Sequence, residues 1–156
     1  MKLRDAQLAL RLDGVVEDID AWHEGKCLPY LGGQLCLRLA TDRKEAVRDD
    51  ATLHLPLPPE ADARQIQDAA EAWLRREAER LLREAVEQIS SRLGVPAPAL
   101  RLSFAARANW VRVDLRGLCC NWRLIEQPAA VIDQVLERTL SSMAPARWVP
   151  DLFAAA

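Results

Sequence analysis

Residues 62–94 read DARQIQDAAEAWLRREAERLLREAVEQISSRLG, and this stretch decides the fold class. Ile66, Ala70, Trp73, Leu74, Leu81, Leu82, Val86, Ile89 and Leu93 recur at spacings close to three or four, which places one apolar stripe along one long helix. Asp62 with Gln65 three residues on has the pattern of a capping box. Gly94 suits the residue just past a helix end, and Pro96 and Pro98 prevent continuation. Glu71 before Arg75, and Glu79 before Arg83, add acid-before-base pairs worth about 0.3 kcal/mol each. Arg75, Arg76, Arg80 and Arg83 are balanced by Glu77, Glu79, Glu84 and Glu87, so these arginines read as a solvated face.

Upstream of the helix the period changes from 3.6 to 2. Leu8, Leu10 and Leu12 alternate with Ala9 and Arg11 before an Asp13-Gly14 turn. Leu35, Leu37 and Leu39 alternate after Gly32-Gly33, and Leu53, Leu55 and Leu57 repeat the pattern. Pro56 falls inside that third run and has no N–H for a ladder, so an edge position is expected there. Downstream, Leu100, Leu102 and Phe104 form one alternating run, and Val111, Val113 and Leu115 another. Arg116-Gly117 marks a turn, and residues 118–122 suit a further short strand. Pro128 fits the first turn of a last helix, whose apolar face is Val131, Ile132, Val135, Leu136, Leu140 and Met143. Strands, long helix, strands, short helix is an α+β order, and 156 residues is the size of one domain. The tail carries Trp148, Val149, Leu152 and Phe153, an apolar set expected to fold back on the body.

Composition excludes several classes. Half the residues are hydrophobic and 28% are charged, which is globular and not disordered. A formal net charge of −2 lacks the basic excess of a dedicated nucleic-acid binder. No apolar run reaches the ~20 residues of a membrane span, and the first residues do not read as a secretory signal. Four cysteines without a leader suggest free thiols in a reducing compartment, hence a cytoplasmic location. The glycines never gather into a phosphate-binding loop. Ser141 and Ser142 have no histidine near them in sequence and no nucleophile-elbow motif. The soft metal donors are His23, His54, Cys27, Cys36, Cys119 and Cys120. Cys27 and Cys36 could meet across strands near His23, but the set lacks paired zinc-ligand spacing, so packed thiols are the expectation.

Three segments, in order, are similar to one family. They are Leu28-Pro29-Tyr30-Leu31-Gly32-Gly33 before a strand, Trp73-Leu74-Arg75-Arg76-Glu77-Ala78 running to Arg92-Leu93-Gly94-Val95-Pro96, and Asn121-Trp122-Arg123-Leu124-Ile125 followed by Pro128 and Val131-Ile132-Asp133. Together they resemble the YgjP-like metal-dependent hydrolases, with their SprT-like and minigluzincin relatives, over about residues 26 to 143. The resemblance implies a zincin-like single domain. Residues 1–25 would be a truncated N-terminal β segment and 26–156 the YgjP-like zincin-type domain.

In that family the last helix carries H-E-x-x-H: two imidazoles one turn apart grip Zn²⁺ and the glutamate deprotonates the metal-bound water. Aligned on Val131-Ile132-Asp133, the ligand positions fall on Arg138 and Ser142 and the general base on Thr139. Arg138 is a permanent cation without a lone pair to offer, Ser142 is a poor zinc ligand and Thr139 is no carboxylate. Shifting the register by one residue brings Glu137 and Ser141 to the site, still without an imidazole. No histidine follows His54 to serve as the third ligand. Where the family has W-G-S-C, this chain has Trp110-Val111-Arg112-Val113, and the spacing to Asn121 is one residue shorter.

The resemblance therefore implies a catalytically inactive homologue of a zinc metallopeptidase, with no catalytic residue, metal or cofactor expected. It would act as a binding or regulatory protein through a remnant cleft formed by Trp110, Asn121, Trp122 and Arg138. The expected partner is a protein or peptide, neither nucleic acid nor membrane. Self-association follows if the short N-terminal segment leaves a sheet edge bare. The alternative is an active metal-dependent hydrolase with a non-standard metal site.

Overall fold

A computed structural model describes residues 21–106 and 109–143. The Leu8–Leu12 alternation and the tail with Trp148 lie outside the described residues. Among the described residues the elements are β1 (Cys27–Tyr30), β2 (Gly33–Leu39), β3 (Val47–Asp49), β4 (Thr52–Leu55), helix α1 (Ala63–Leu93), β5 (Leu100–Ser103), β6 (Val111–Asp114), β7 (Gly117–Asn121), a 3-10 turn (Trp122–Glu126) and helix α2 (Ala129–Met143). The architecture is α+β in one small domain.

The ends of α1 follow the local chemistry of their sequence. Asp62 Oδ1 accepts the Gln65 N–H at 2.8 Å while Gln65 Oε1 accepts the Asp62 N–H at 3.0 Å, so two of the first turn's orphan donors are satisfied. At the other end Gly94 takes φ +69°, which only glycine adopts at little cost, and its N–H reaches back to the helix. Ile66, Ala70, Leu74, Ala78, Leu82, Val86 and Ile89 are buried along one face, while Trp73, Leu81 and Leu93 sit half-buried beside them.

Two sheets are present among the described residues. The first has order β1-β2-β4-β3: β1 and β2 form an antiparallel hairpin, β2 runs parallel to β4, and β3 folds back antiparallel on the outside. The second has order β5-β7-β6, with β5 parallel and β6 antiparallel to the central β7. Leu35, Leu37, Leu53 and Leu55 from the first sheet meet the α1 stripe, and Leu118, Cys120, Leu124, Ile125, Ile132, Leu136 and Leu140 complete the same buried cluster. Each such leucine contributes on the order of 2 kcal/mol by leaving water.

The structure differs from the sequence expectation at several places, among them Leu115, which lies past the end of β6 and is exposed. Strand β4 ends at Leu55, so Pro56 lies beyond the ladder, and β4 is an internal strand rather than an edge. The proline that does occupy an edge strand is Pro29 in β1. Phe104 falls past the end of β5 and is about half exposed, with the Arg75 guanidinium 4.7 Å from its ring centre. Finally, Cys27 and Cys36 are directly opposite in the β1–β2 hairpin, with Cα atoms 4.0 Å apart, and form a disulfide. Only Cys119 and Cys120 are free thiols, so the four-thiol argument for a reducing compartment falls away.

Candidate functional site

The approach to α2 is built by contact between segments distant in sequence. The β1–β2 turn places Leu31 at φ +49° and Gly32 at φ +79°. The Leu31 N–H donates to the Ile125 carbonyl at 2.7 Å and the Gly32 N–H to that of Glu126 at 3.1 Å. A Cβ on Gly32 would stand 2.8 Å from Pro128 Cγ, so the turn presses against the residue that opens α2. Two of the segments singled out in the sequence, residues 28–33 and 121–128, thus hold one another.

Asn121 closes the same region from the other side. It is buried, its Oδ1 accepts the Arg123 N–H at 3.0 Å, and its Nδ2 donates to the Ala105 carbonyl at 3.1 Å. Its backbone N–H donates to the Trp110 carbonyl at 2.8 Å. Asn121 therefore ties the segment before β6 to the 3-10 turn that leads into α2. Trp122 is buried in the core with Arg123 stacked over its ring at 5.1 Å, whereas Trp110 is exposed. Of the four residues assigned to the cleft, Asn121 and Trp122 are wall and core, and Trp110 and Arg138 reach solvent.

Helix α2 packs on α1, on the 3-10 turn and on β6. Ile132, Leu136 and Leu140 form its buried face. Arg138 is exposed and, among the described residues, has no ion pair or hydrogen bond. Thr139 is half-buried and its hydroxyl donates to the Val135 carbonyl at 2.8 Å. Ser142 donates its hydroxyl to the Thr139 carbonyl at 2.6 Å. Both hydroxyls bond back to the helix itself, as Ser and Thr do inside helices. Glu137, the carboxylate of the shifted register, is held by Arg92 at the end of α1 at 3.0 Å.

A zinc ion of the kind the family resemblance implies does not fit this donor set. The three positions offer a guanidinium and two hydroxyls already bonded to backbone carbonyls. Among the described residues no three His, Cys, Asp or Glu side chains gather at one point. His23 is exposed and bonds its own neighbour's carbonyl through Nδ1, His54 lies on β4, and Cys27 and Cys36 are consumed by the disulfide. Cys119 and Cys120 point to opposite sides of β7 and are buried, and burial pushes the Cys120 thiol up to about 12. A thiol held that firmly protonated is no nucleophile.

One polar network escaped the sequence reading. Tyr30 on β1 donates its hydroxyl to Glu77 Oε1 on α1 at 2.9 Å, and Arg80 grips the same carboxylate at 2.7 and 3.1 Å. Burial, with the Glu77 carboxylate beside it, pushes the Tyr30 hydroxyl up to about 12. Burial also raises Glu77, but the hydrogen bonds from Arg80 and Tyr30 outweigh it and hold the carboxyl below its usual range. The partners are 47 positions apart, and no local spacing signals such a pair.

The sequence model of the YgjP-like, metallopeptidase domain family matches residues 7–136. The match thus begins upstream of the first described strand and ends at Leu136, two residues before Arg138. No curated protein and no solved structure matches the chain.

Proposed function

The chain belongs to the YgjP-like family of metallopeptidase-domain proteins, and we propose that it is a catalytically inactive member that works by binding. The observation that carries this reading is the state of the three positions on α2. Thr139 and Ser142 bond to their own helix, and Arg138 stands exposed with no partner among the described residues. None of them supplies a lone pair suited to a metal or a base suited to water. The alternative, an active hydrolase with a non-standard metal site, needs ligands that the described residues do not bring together.

The ligand in this reading is an extended segment of a protein partner that carries a carboxylate. Strand β6 is an edge of its sheet, α2 packs against it, and β6 has no strand partner on its outer side among the described residues. An added strand would take backbone hydrogen bonds from β6, and Arg138 would meet an acidic side chain with two parallel N–H donors. A cytoplasmic location belongs to the same proposal. Among the described residues no helix is long and apolar enough to cross a membrane, while the Cys27–Cys36 disulfide weighs against a reducing compartment.

The test is a titration of isotope-labelled protein with two short β-forming peptides, identical except for glutamate or glutamine at the centre. The proposal expects the amides of residues 111–114 and 138 to shift with the glutamate peptide, and Arg138→Glu to abolish the preference. Equal shifts with both peptides, or cleavage of either that a chelator stops, would contradict it.

A further inference from the structure

A concave surface lies on the N-terminal half of α1. It is a groove of about 580 Å³ between that helix and the segment leading to β3, with Pro56 also in its lining. This is the size of a small-molecule site, which typically encloses roughly 300–1,000 Å³. Helix α2 does not line it.

The groove has an apolar floor. Trp73 is half-buried there, beside Ala69, Ala72 and Pro56. Its ring packs against that of Tyr30, with centroids 6.0 Å apart. Tyr30 is itself fixed through its hydroxyl to Glu77. The floor is therefore held in place before any ligand arrives, which lowers the cost of ordering it on binding.

Charge distinguishes this groove from the rest of the helix. Five of the six arginines on α1 are neutralised: Arg64 by Asp68, Arg75 by Glu71, Arg80 by Glu77 and Glu84, Arg83 by Glu79 and Arg92 by Glu137. Arg76 is the exception, with no ion pair or hydrogen bond among the described residues, and it lines the groove. Lys44, on the opposite wall, has no such partner either. The Glu77 carboxylate at the base is already saturated by Tyr30 and Arg80, which leaves Glu45 as the one open carboxylate on the rim. Two unmatched cations and a fixed aromatic ring lining one groove form a receptor for one charge and one flat face.

We propose that this groove binds a small organic anion, whose ring or short apolar body lies on Trp73 and whose phosphate or carboxylate group is held by Lys44 and Arg76. The site is separate from Arg138, and either proposal stands without the other. Phosphate and carboxylate ligands share this chemistry, and phenyl phosphate and benzoate serve as the two probes.

The full chain is titrated with each probe and followed by the backbone amides of residues 44 and 76 and the indole N–H of Trp73. At least one probe is expected to move all three signals in a saturable way, and the tighter of the two identifies the charged group. Inorganic phosphate, lacking the ring, is expected to bind at least roughly tenfold more weakly. The Lys44→Ala/Arg76→Ala variant is expected to lose about tenfold or more in affinity, while Arg83→Ala and Arg138→Glu leave it unchanged. Both altered side chains are exposed, and an unchanged melting curve separates lost binding from lost folding. The proposal is overturned if neither probe moves the Trp73 signal saturably, if inorganic phosphate binds as well as the better probe, or if Arg83→Ala weakens binding as much as the double change does.

Discussion

At the residue scale, a hydroxyl on a helix has to find a hydrogen-bond partner. Thr139 and Ser142 find it in their own helix, at Val135 and Thr139, so the helix stays regular where a metal site would require outward-facing donors. That Arg138 and Ser142 share a helical face was legible from sequence, because i and i+4 do so whatever surrounds them. The hydrogen bonds of Thr139 and Ser142 were not legible, since a serine on a helix can turn either way. The cysteines show the same limit. Alternation put Cys36 in a strand but could not fix which residue stands opposite, and that register makes Cys27 its disulfide partner. Thiol titration of the unfolded, unreduced protein is expected to find two thiols, those of Cys119 and Cys120, out of the four cysteines. In the native protein near neutral pH the Cys120 thiol is expected to stay unreactive, because burial raises its pKa to about 12. Four thiols in the unfolded chain would show that Cys27 and Cys36 do not pair.

The elements divide by how local their causes are. Helix α1 was legible from end to end, since its apolar stripe, the Asp62 box and Gly94 are all written within it. Asp62→Ala removes the acceptor of the Gln65 N–H and is expected to cost about 1 kcal/mol in urea unfolding. A change indistinguishable from zero would mean that the first turn frays. Strands β1 and β3 were missed as strands because they are short: Cys27–Tyr30 contains a proline, and Val47–Asp49 buries nothing. Each is a strand because its neighbour supplies the ladder, β2 for the first and β4 for the second. For the same reason β4 could not be placed inside its sheet from sequence: its outer neighbour, β3, carries no apolar signal.

For the whole molecule, the bond between Tyr30 and Glu77 joins the first sheet to α1, and burial, together with that bond, gives Tyr30 a pH dependence. Tyr30 titrates near 10 in the unfolded chain and near 12 in the folded one, so below about 10 it is neutral in both states and its contribution is complete. As pH rises from about 10 towards about 12 the unfolded state ionises first, and stability falls. Tyr30→Phe is expected to lower stability at neutral pH by about 1 kcal/mol and to flatten the loss above pH 10 relative to the unaltered protein. Cys120 titrates in both proteins, so the difference between them isolates the tyrosine. This is the only tyrosine in the chain, so its absorbance titration reads the same pKa directly. A midpoint at the ordinary tyrosine value would remove the Glu77 bond from the account.

The claim on which the functional reading turns is that a YgjP-like chain with Arg138, Thr139 and Ser142 on α2 has no metal site. Elemental analysis of protein purified without chelator and without added zinc tests it most directly. The account expects less than about 0.1 equivalent of any transition metal per chain. Close to one equivalent, lost together with a hydrolytic activity on chelation, would contradict it.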